Sequence, residues 1–245
     1  GFQTKLPVIN DTRNGAKHLS FAPHCYLADL AIHDPATTNS IRNTYTQYLA
    51  DLKNKYTVIQ QKQQVPIYIG EWASIDYTVF PDWENFLNNH MAAFDELKAS
   101  WSYFGYFPSN PDDMSENPAL NVATRIYPRA TAGDLKSFSY QPSSKVFKMT
   151  FTSNGAISQP TEIFVPNRFY PGGYNISISG GNYTQEMDAV KQVLKIRTTD
   201  SKEYTVHRLI LGTHTSDEQN HLVIACVQIP KDGTAIESTQ YESER

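Results

Sequence analysis

The sequence predicts an α/β segment followed by an all-β segment. Two observations carry this. Apolar runs alternate with helix-periodic stretches in the order strand, helix, strand, helix, strand up to about residue 106, the pattern of parallel strands joined by helical crossovers. From about residue 136 the chain changes to short alternating segments punctuated by turns, the pattern of an antiparallel β-sandwich. With 245 residues, 40% hydrophobic and 12% aromatic, there is enough apolar material for a sizeable core.

Residues 1–18 are polar and contain the turn signal Asn14-Gly15, so they read as a connecting loop. Leu19 to Tyr26 is the first strand candidate. After Asp34-Pro35 and Asn39-Ser40, the residues Ile41, Tyr45, Tyr48, Leu49, Leu52, Tyr56 and Ile59 recur at helical spacing, giving an amphipathic helix of about five turns. The run Val65-Pro66-Ile67-Tyr68-Ile69-Gly70-Glu71-Trp72 is nearly continuous in apolar residues, as in a strand buried on both faces. Trp83, Phe86, Leu87, Met91, Phe94 and Leu97 mark a second amphipathic helix, and Ser100 to Tyr106 is an aromatic third strand. The all-β strands are expected at Val146–Thr152, Glu162–Val165, Tyr174–Ser179, Val193–Arg197, Glu203–Leu211 and Leu222–Ile229, separated by Asn154-Gly155, Pro171-Gly172-Gly173 and Gly180-Gly181. The expected division is therefore 1–135, 136–232 and a polar tail, 233–245.

Composition excludes several function classes. The net charge is −4 and no Lys/Arg run occurs, so the basic surface that drives nucleic-acid binding is missing. No stretch approaches the roughly 18 consecutive apolar residues of a membrane span. Cys25 and Cys226 are the two cysteines, and neither sits in a zinc-ligand pattern. His18, His33, His90, His207, His214 and His221 show no ligand spacing, so packing or surface positions are expected for them. No metal and no cofactor is expected. The sequons at Asn10, Asn175 and Asn182 are candidate glycosylation sites and favour a secreted/extracellular protein or a lysosome-like compartment over the cytosol.

A carboxylate closing a buried strand needs a reason, and that residue is Glu71. His24 and Tyr26 end the preceding strand and Trp101 lies on the following one, so four residues fall at or near the ends of consecutive parallel strands. In a β/α barrel those ends line the active-site face. Singly these residues carry little: His24 alone reads as a core histidine, Trp101 as a core aromatic, and a strand-end carboxylate more often as half of an ion pair. Cys25, between His24 and Tyr26, is expected to be a buried thiol, and a Cys25 to Cys226 disulfide is not expected.

In this order the residues resemble glycoside hydrolase family five, whose (β/α)8 TIM barrel carries His-x-Tyr on strand six, a nucleophilic Glu on strand seven and a Trp on strand eight. Within that family the chain looks most like the endoglycoceramidases, which cleave the oligosaccharide-ceramide linkage of glycosphingolipids. The likeness runs on through Arg125-Ile126-Tyr127-Pro128-Arg129-Ala130-Thr131-Ala132-Gly133, Ser137-Phe138-Ser139-Tyr140 and Pro160-Thr161-Glu162-Ile163-Phe164-Val165-Pro166.

The resemblance implies the C-terminal part of a barrel, about strands six to eight, followed by the sandwich. It implies Glu71 as nucleophile, Tyr26 hydrogen-bonded to it, His24 holding the sugar or the acid/base, and Trp101 stacked on the sugar ring. The acid/base would be the Glu of an Asn-Glu pair ending strand four, and no such pair ends a strand here; Glu116-Asn117 is reversed and lies in a loop. Ala73 also departs from the Gly that many relatives have there. A companion chain or segment completing the barrel on its N-terminal side is therefore expected, with a glycolipid or glycan as substrate, and this chain alone is expected to be inactive. The loop Phe107–Leu120 is expected at the active-site end of the barrel, either contacting substrate or serving as a solvated connector. Two other readings stay open: a non-catalytic structural or carbohydrate-binding glycoprotein derived from such an enzyme, and a glycosidase acting on a lipid-free glycan.

Overall fold

The computed structural model describes residues 7–14, 18–26, 35–72, 82–104, 118–170, 173–209 and 224–227. Ala73, most of the loop 107–120 and the tail 233–245 lie outside the described residues. The chain forms two compact units, Gly1–Ala123 and Thr124–Arg245. The division lies ahead of the boundary read at residue 135, because the segment after Thr124 pairs within the second unit.

In the first unit, β1 (His24–Cys25), β2 (Tyr68–Trp72) and β3 (Ser100–Tyr103) form a parallel sheet in the order β1-β2-β3. Helices α1 (Pro35–Gln63) and α2 (Trp83–Glu96) connect the strands in sequence. α1 runs 29 residues, longer than its periodicity implies. It opens on Pro35, a residue suited to a first helical turn because its missing N–H has no helical partner there. Both helices stop at a left-handed residue that is not glycine, Gln64 (φ 54°) and Lys98 (φ 52°), so the chain turns back into a strand within a few residues. A short third helix, α3 (Pro118–Ala123), closes the unit.

One face of this sheet is packed by the helices. Val65, Ile67 and Ile69 are buried, and Ile67 and Ile69 share a core with Leu52, Tyr56 and Ile59 of α1 and Leu87, Met91 and Phe94 of α2. Period-two alternation turns Pro66 and Tyr68 to the opposite side, where they are exposed. The helices are also tied together by Lys53 Nζ to Glu96 Oε2 at 2.6 Å and by Gln60 Nε2 donating to the Leu97 carbonyl. Upstream, the buried Gln63 amide accepts from Ile9 N and donates to Pro7 O, which pins the irregular segment 7–9 to the end of α1.

The second unit holds two antiparallel sheets. One is β4 (Tyr127–Ala130), β7 (Thr161–Phe164), β10 (Val193–Thr198) and β9 (Tyr183–Asp188), in the order β4-β7-β10-β9. The other is β5 (Gly133–Gln141), β6 (Val146–Ser153), β8 (Tyr174–Ser179), β11 (Glu203–Leu209) and β12 (Ile224–Val227), in the order β12-β8-β11-β6-β5. Alternate residues of both sheets enter one core: Phe147, Met149, Phe151, Tyr174, Ile176, Ile178, Tyr204 and Val206 from the larger sheet, and Ile163, Met187, Leu194 and Ile196 from the smaller. This is the inward half of the alternation expected of two facing sheets.

In the second unit the strands read at Val146–Thr152, Glu162–Val165, Tyr174–Ser179 and Val193–Arg197 occur within a residue or two. Glu203–Leu209 and Ile224–Val227 are strands within the stretches read at Glu203–Leu211 and Leu222–Ile229, whose other residues lie outside the described ones. In the first unit β1 covers only His24–Cys25 of the candidate Leu19–Tyr26. Strands β4, β5 and β9 were not anticipated. β9 carries polar or charged side chains over most of its length, since it ends its sheet with one face to solvent, and β4 accommodates Pro128 because it too is an edge strand among the described residues. Gly133 has φ +143° and a Cβ there would sit 2.0 Å from the Thr152 carbonyl oxygen, so only glycine fits. Among the described residues no helix is long and apolar enough to cross a membrane.

Candidate active site

The first unit brings three of the predicted residues to one point. Phe21 N donates to Pro66 O, Tyr68 N to Phe21 O and Gly70 N to Pro23 O, a ladder that fixes the register of the first strand with His24 opposite Glu71. A slip by one residue would send Glu71 to the wrong face. In the register observed, Tyr26 Oη donates to Glu71 Oε2 at 3.2 Å, and His24 Nδ1 lies 3.3 Å from the same oxygen. Oε1 has no partner among the described residues. The Glu71 side chain is 37% exposed and that of His24 58%, so the carboxylate is reachable from solvent.

Glu71 is aimed by an irregularity. Ile69 pairs with Trp101, but Trp72 pairs with Tyr103, so β2 uses one more residue than β3 between these pairs. This β-bulge lets the strand break its alternation. Without it, Trp72 would share the open side with Tyr68. With it, Trp72 is fully buried against α2 and Glu71 stays accessible.

Trp72 is the hub beneath the carboxylate. Its ring meets Trp101, Tyr103 and Phe94 edge-on at centroid distances of 5.2, 5.4 and 5.2 Å and lies nearly parallel to His90 at 6.1 Å. Trp101 therefore sits on the strand beside Glu71, half-buried, with its ring supported by Trp72. Its contact in this structure is with Trp72, not with the carboxylate.

The strand end is fastened from α1. Tyr48 Oη lies 3.3 Å from Cys25 Sγ and donates to the Tyr26 carbonyl oxygen. Cys25 is a buried free thiol, as read from the sequence. Burial pushes its pKa up to about 11, against the pull of the Tyr48 hydrogen bond, so it stays a thiol at neutral pH. The Tyr26 phenol is pushed up to about 12, by burial first and then by the Glu71 carboxylate that accepts its proton, with Tyr103 adding to the effect. Tyr26 is a permanent donor to Glu71. Tyr48 and Tyr103 were missed in the sequence because a tyrosine on a helix face or in an aromatic strand reads as packing; only the fold shows which ones face the strand end.

His90 packs in α2, as expected for a histidine without ligand spacing. Its Nδ1–H donates to the Phe86 carbonyl at 2.8 Å, and desolvation lowers its pKa to about 4. The unfolded chain takes up this proton near pH 6.5, the folded one only near 4. Stability from the neutral ring is thus complete above pH 6.5 and falls as pH drops towards 4, by up to about 3 kcal/mol. Urea unfolding midpoints from pH 7 to pH 4 should follow this fall in the wild type and be flatter in His90→Phe.

Residues 125–210 match the glycoside hydrolase family 5 C-terminal domain. Over 166 residues, 67% of this chain, the sequence is 30% identical to endoglycoceramidase I of Rhodococcus hoagii (strain 103S), 32% of which is covered. The chain is endoglycoceramidase-like and carries a glycoside hydrolase family 5 C-terminal domain. Among solved structures, endo-glycoceramidase II from Rhodococcus sp. in a cellobiose-like isofagomine complex superposes with a TM-score of 0.68 at 25% identity, covering 86% of this chain and 47% of that one. Its five-membered iminocyclitol complex gives 0.67 at 26%, covering 86% and 48%. This endoglycoceramidase-like chain thus spans about a third of the curated relative and just under half of the solved ones.

Proposed function

We propose that the chain supplies the nucleophile half of a retaining, endoglycoceramidase-like glycosidase that cleaves the oligosaccharide-ceramide linkage of glycosphingolipids. The observation that carries this reading is the Glu71 carboxylate, held at the C-terminal end of a parallel strand by Tyr26 and His24 through Oε2, with no partner on Oε1 among the described residues. Oε1 is then the attacking atom. It forms a bond to the anomeric carbon while the bond to the ceramide oxygen breaks, and a second carboxyl about 5 Å away protonates that oxygen as it leaves. Water, deprotonated by the same second group, then releases the sugar with its configuration retained. Tyr26 and His24 keep the nucleophile in one orientation, so little freedom remains to be lost on reaching the transition state. Trp101 offers an aromatic face to the sugar.

In this reading β1, β2 and β3 are strands six to eight of a (β/α)8 barrel. The sheet face on which Tyr68 is exposed, and the outer strands β1 and β3, are what such a barrel would close with further strands. Those strands and the acid/base carboxyl come from a companion segment. Secretion, or delivery to a lysosome-like compartment, suits a glycolipid substrate displayed on the outer membrane leaflet.

The complete protein, supplied with a glycosphingolipid in detergent, is expected to release the intact oligosaccharide with retained anomeric configuration and to leave the same free oligosaccharide uncut. Cleavage of the free glycan at an equal rate, or release with inversion, would overturn the proposal. Tyr26→Phe removes one hydrogen bond to a charged acceptor, worth about 1.5–3 kcal/mol. Its kcat should fall by about ten- to a hundredfold with KM little changed, as steady-state kinetics will show.

A further inference from the structure

The three sequons occupy unlike places in the fold. Asn175 is half-buried inside β8, which is hydrogen-bonded to β11 on one side and β12 on the other, and the sequon residue Ser177 is only 5% exposed. Asn10 is exposed in the irregular segment before α1. Asn182 is exposed at the start of β9, with Thr184 also exposed. Its main chain is tied to β11: Tyr204 Oη donates to the Asn182 carbonyl at 2.8 Å and also lies against Asp200 Oδ1. Among the described residues it is the backbone carbonyl of Asn182, not its side chain, that is engaged.

Among the described residues β9 is the last strand of its sheet. An edge strand presents unpaired backbone groups that another chain can pair with, and proteins guard such edges with charge or cover. The two ends of β9 differ in this respect. Glu186 and Asp188 guard its far end, where they face Lys195 at 3.7 and 3.5 Å. The near end, Asn182-Tyr183-Thr184-Gln185, carries no charge.

We propose that Asn182 carries an N-linked glycan and that this glycan covers the uncharged end of the β9 edge, while Asn175 remains unmodified. The glycan comes from a lipid-pyrophosphate-linked oligosaccharide. Asn182 Nδ2 bonds to the anomeric carbon of the first sugar, the bond from that carbon to the pyrophosphate oxygen breaks, the lipid pyrophosphate leaves with the electron pair, and the amide gives up one proton. The inference is independent of any catalytic role for Glu71.

The complete protein should be produced through a eukaryotic secretory route and deglycosylated with peptide N-glycosidase in heavy-oxygen water. Fragment-ion mass spectrometry is expected to find the label at residue 182 and none at residue 175. Asn182→Gln and Thr184→Ala should each lose the mass of one glycan. Light scattering at rising concentration should show both variants self-associating more than the wild type. A label at residue 175, or an unlabelled residue 182, overturns the assignment. Equal self-association of wild type and both variants overturns the covering role.

Discussion

Glu71→Gln in the complete protein is expected to lower kcat on a glycosphingolipid by at least about a thousandfold while leaving the unfolding midpoint unchanged. The amide keeps the shape of the carboxylate and its carbonyl oxygen still accepts from Tyr26, so the first unit loses little. What it lacks is the charge that attacks the anomeric carbon. Loss of activity alone does not separate a nucleophile from another essential carboxylate. A second variant does, because Glu71→Ala leaves room for azide beneath the sugar. Azide should restore cleavage in that variant and give the glycosyl azide of inverted configuration, read by NMR. Full activity in Glu71→Gln, or rescue that yields the retained azide, would assign the nucleophile elsewhere.

The second large effect is expected at Trp72→Ala. The ring is fully buried and touches aromatic residues from β3 and α2, so its removal leaves a cavity and should cost about 3–5 kcal/mol, measured by urea unfolding of the first unit's transition. Trp72→Phe should cost clearly less. It keeps an aromatic ring against the same neighbours and removes an indole Nε1–H that has no hydrogen-bond partner among the described residues, a group that is expensive to bury unpaired. If Trp72→Phe proves as damaging as Trp72→Ala, the edge-on contacts rather than the buried volume decide the stability.

Much of this arrangement was legible in the sequence where one periodicity dominated. The spacing of Trp83, Leu87, Met91 and Phe94 marks α2 because a helix with one buried side must place apolar residues there. Val193–Thr198 reads as a strand because alternate side chains enter a core. The edge strands β4 and β9 escaped the same reading: with one neighbour and a wet outer face, they need not alternate in hydrophobicity, and Pro128 and Glu186 disguise them. Glu71, His24 and Tyr26 were singled out as candidates by their order along the chain, and the structure brings their polar atoms together. The bulge between Ile69 and Trp72 was not legible, since the run Tyr68-Ile69-Gly70-Glu71-Trp72 fits a regular strand equally well. Only the pairing with Trp101 and Tyr103 reveals the extra residue.

That extra residue joins two requirements that are usually separate. On a regular strand a surface position and a core position can be altered independently, one residue at a time. Here, losing the bulge at unchanged length would turn Glu71 towards the helices and Trp72 to the open side, so the indole and the carboxylate would trade environments together. A replacement that abolishes the bulge should therefore disturb the core and the carboxylate at once.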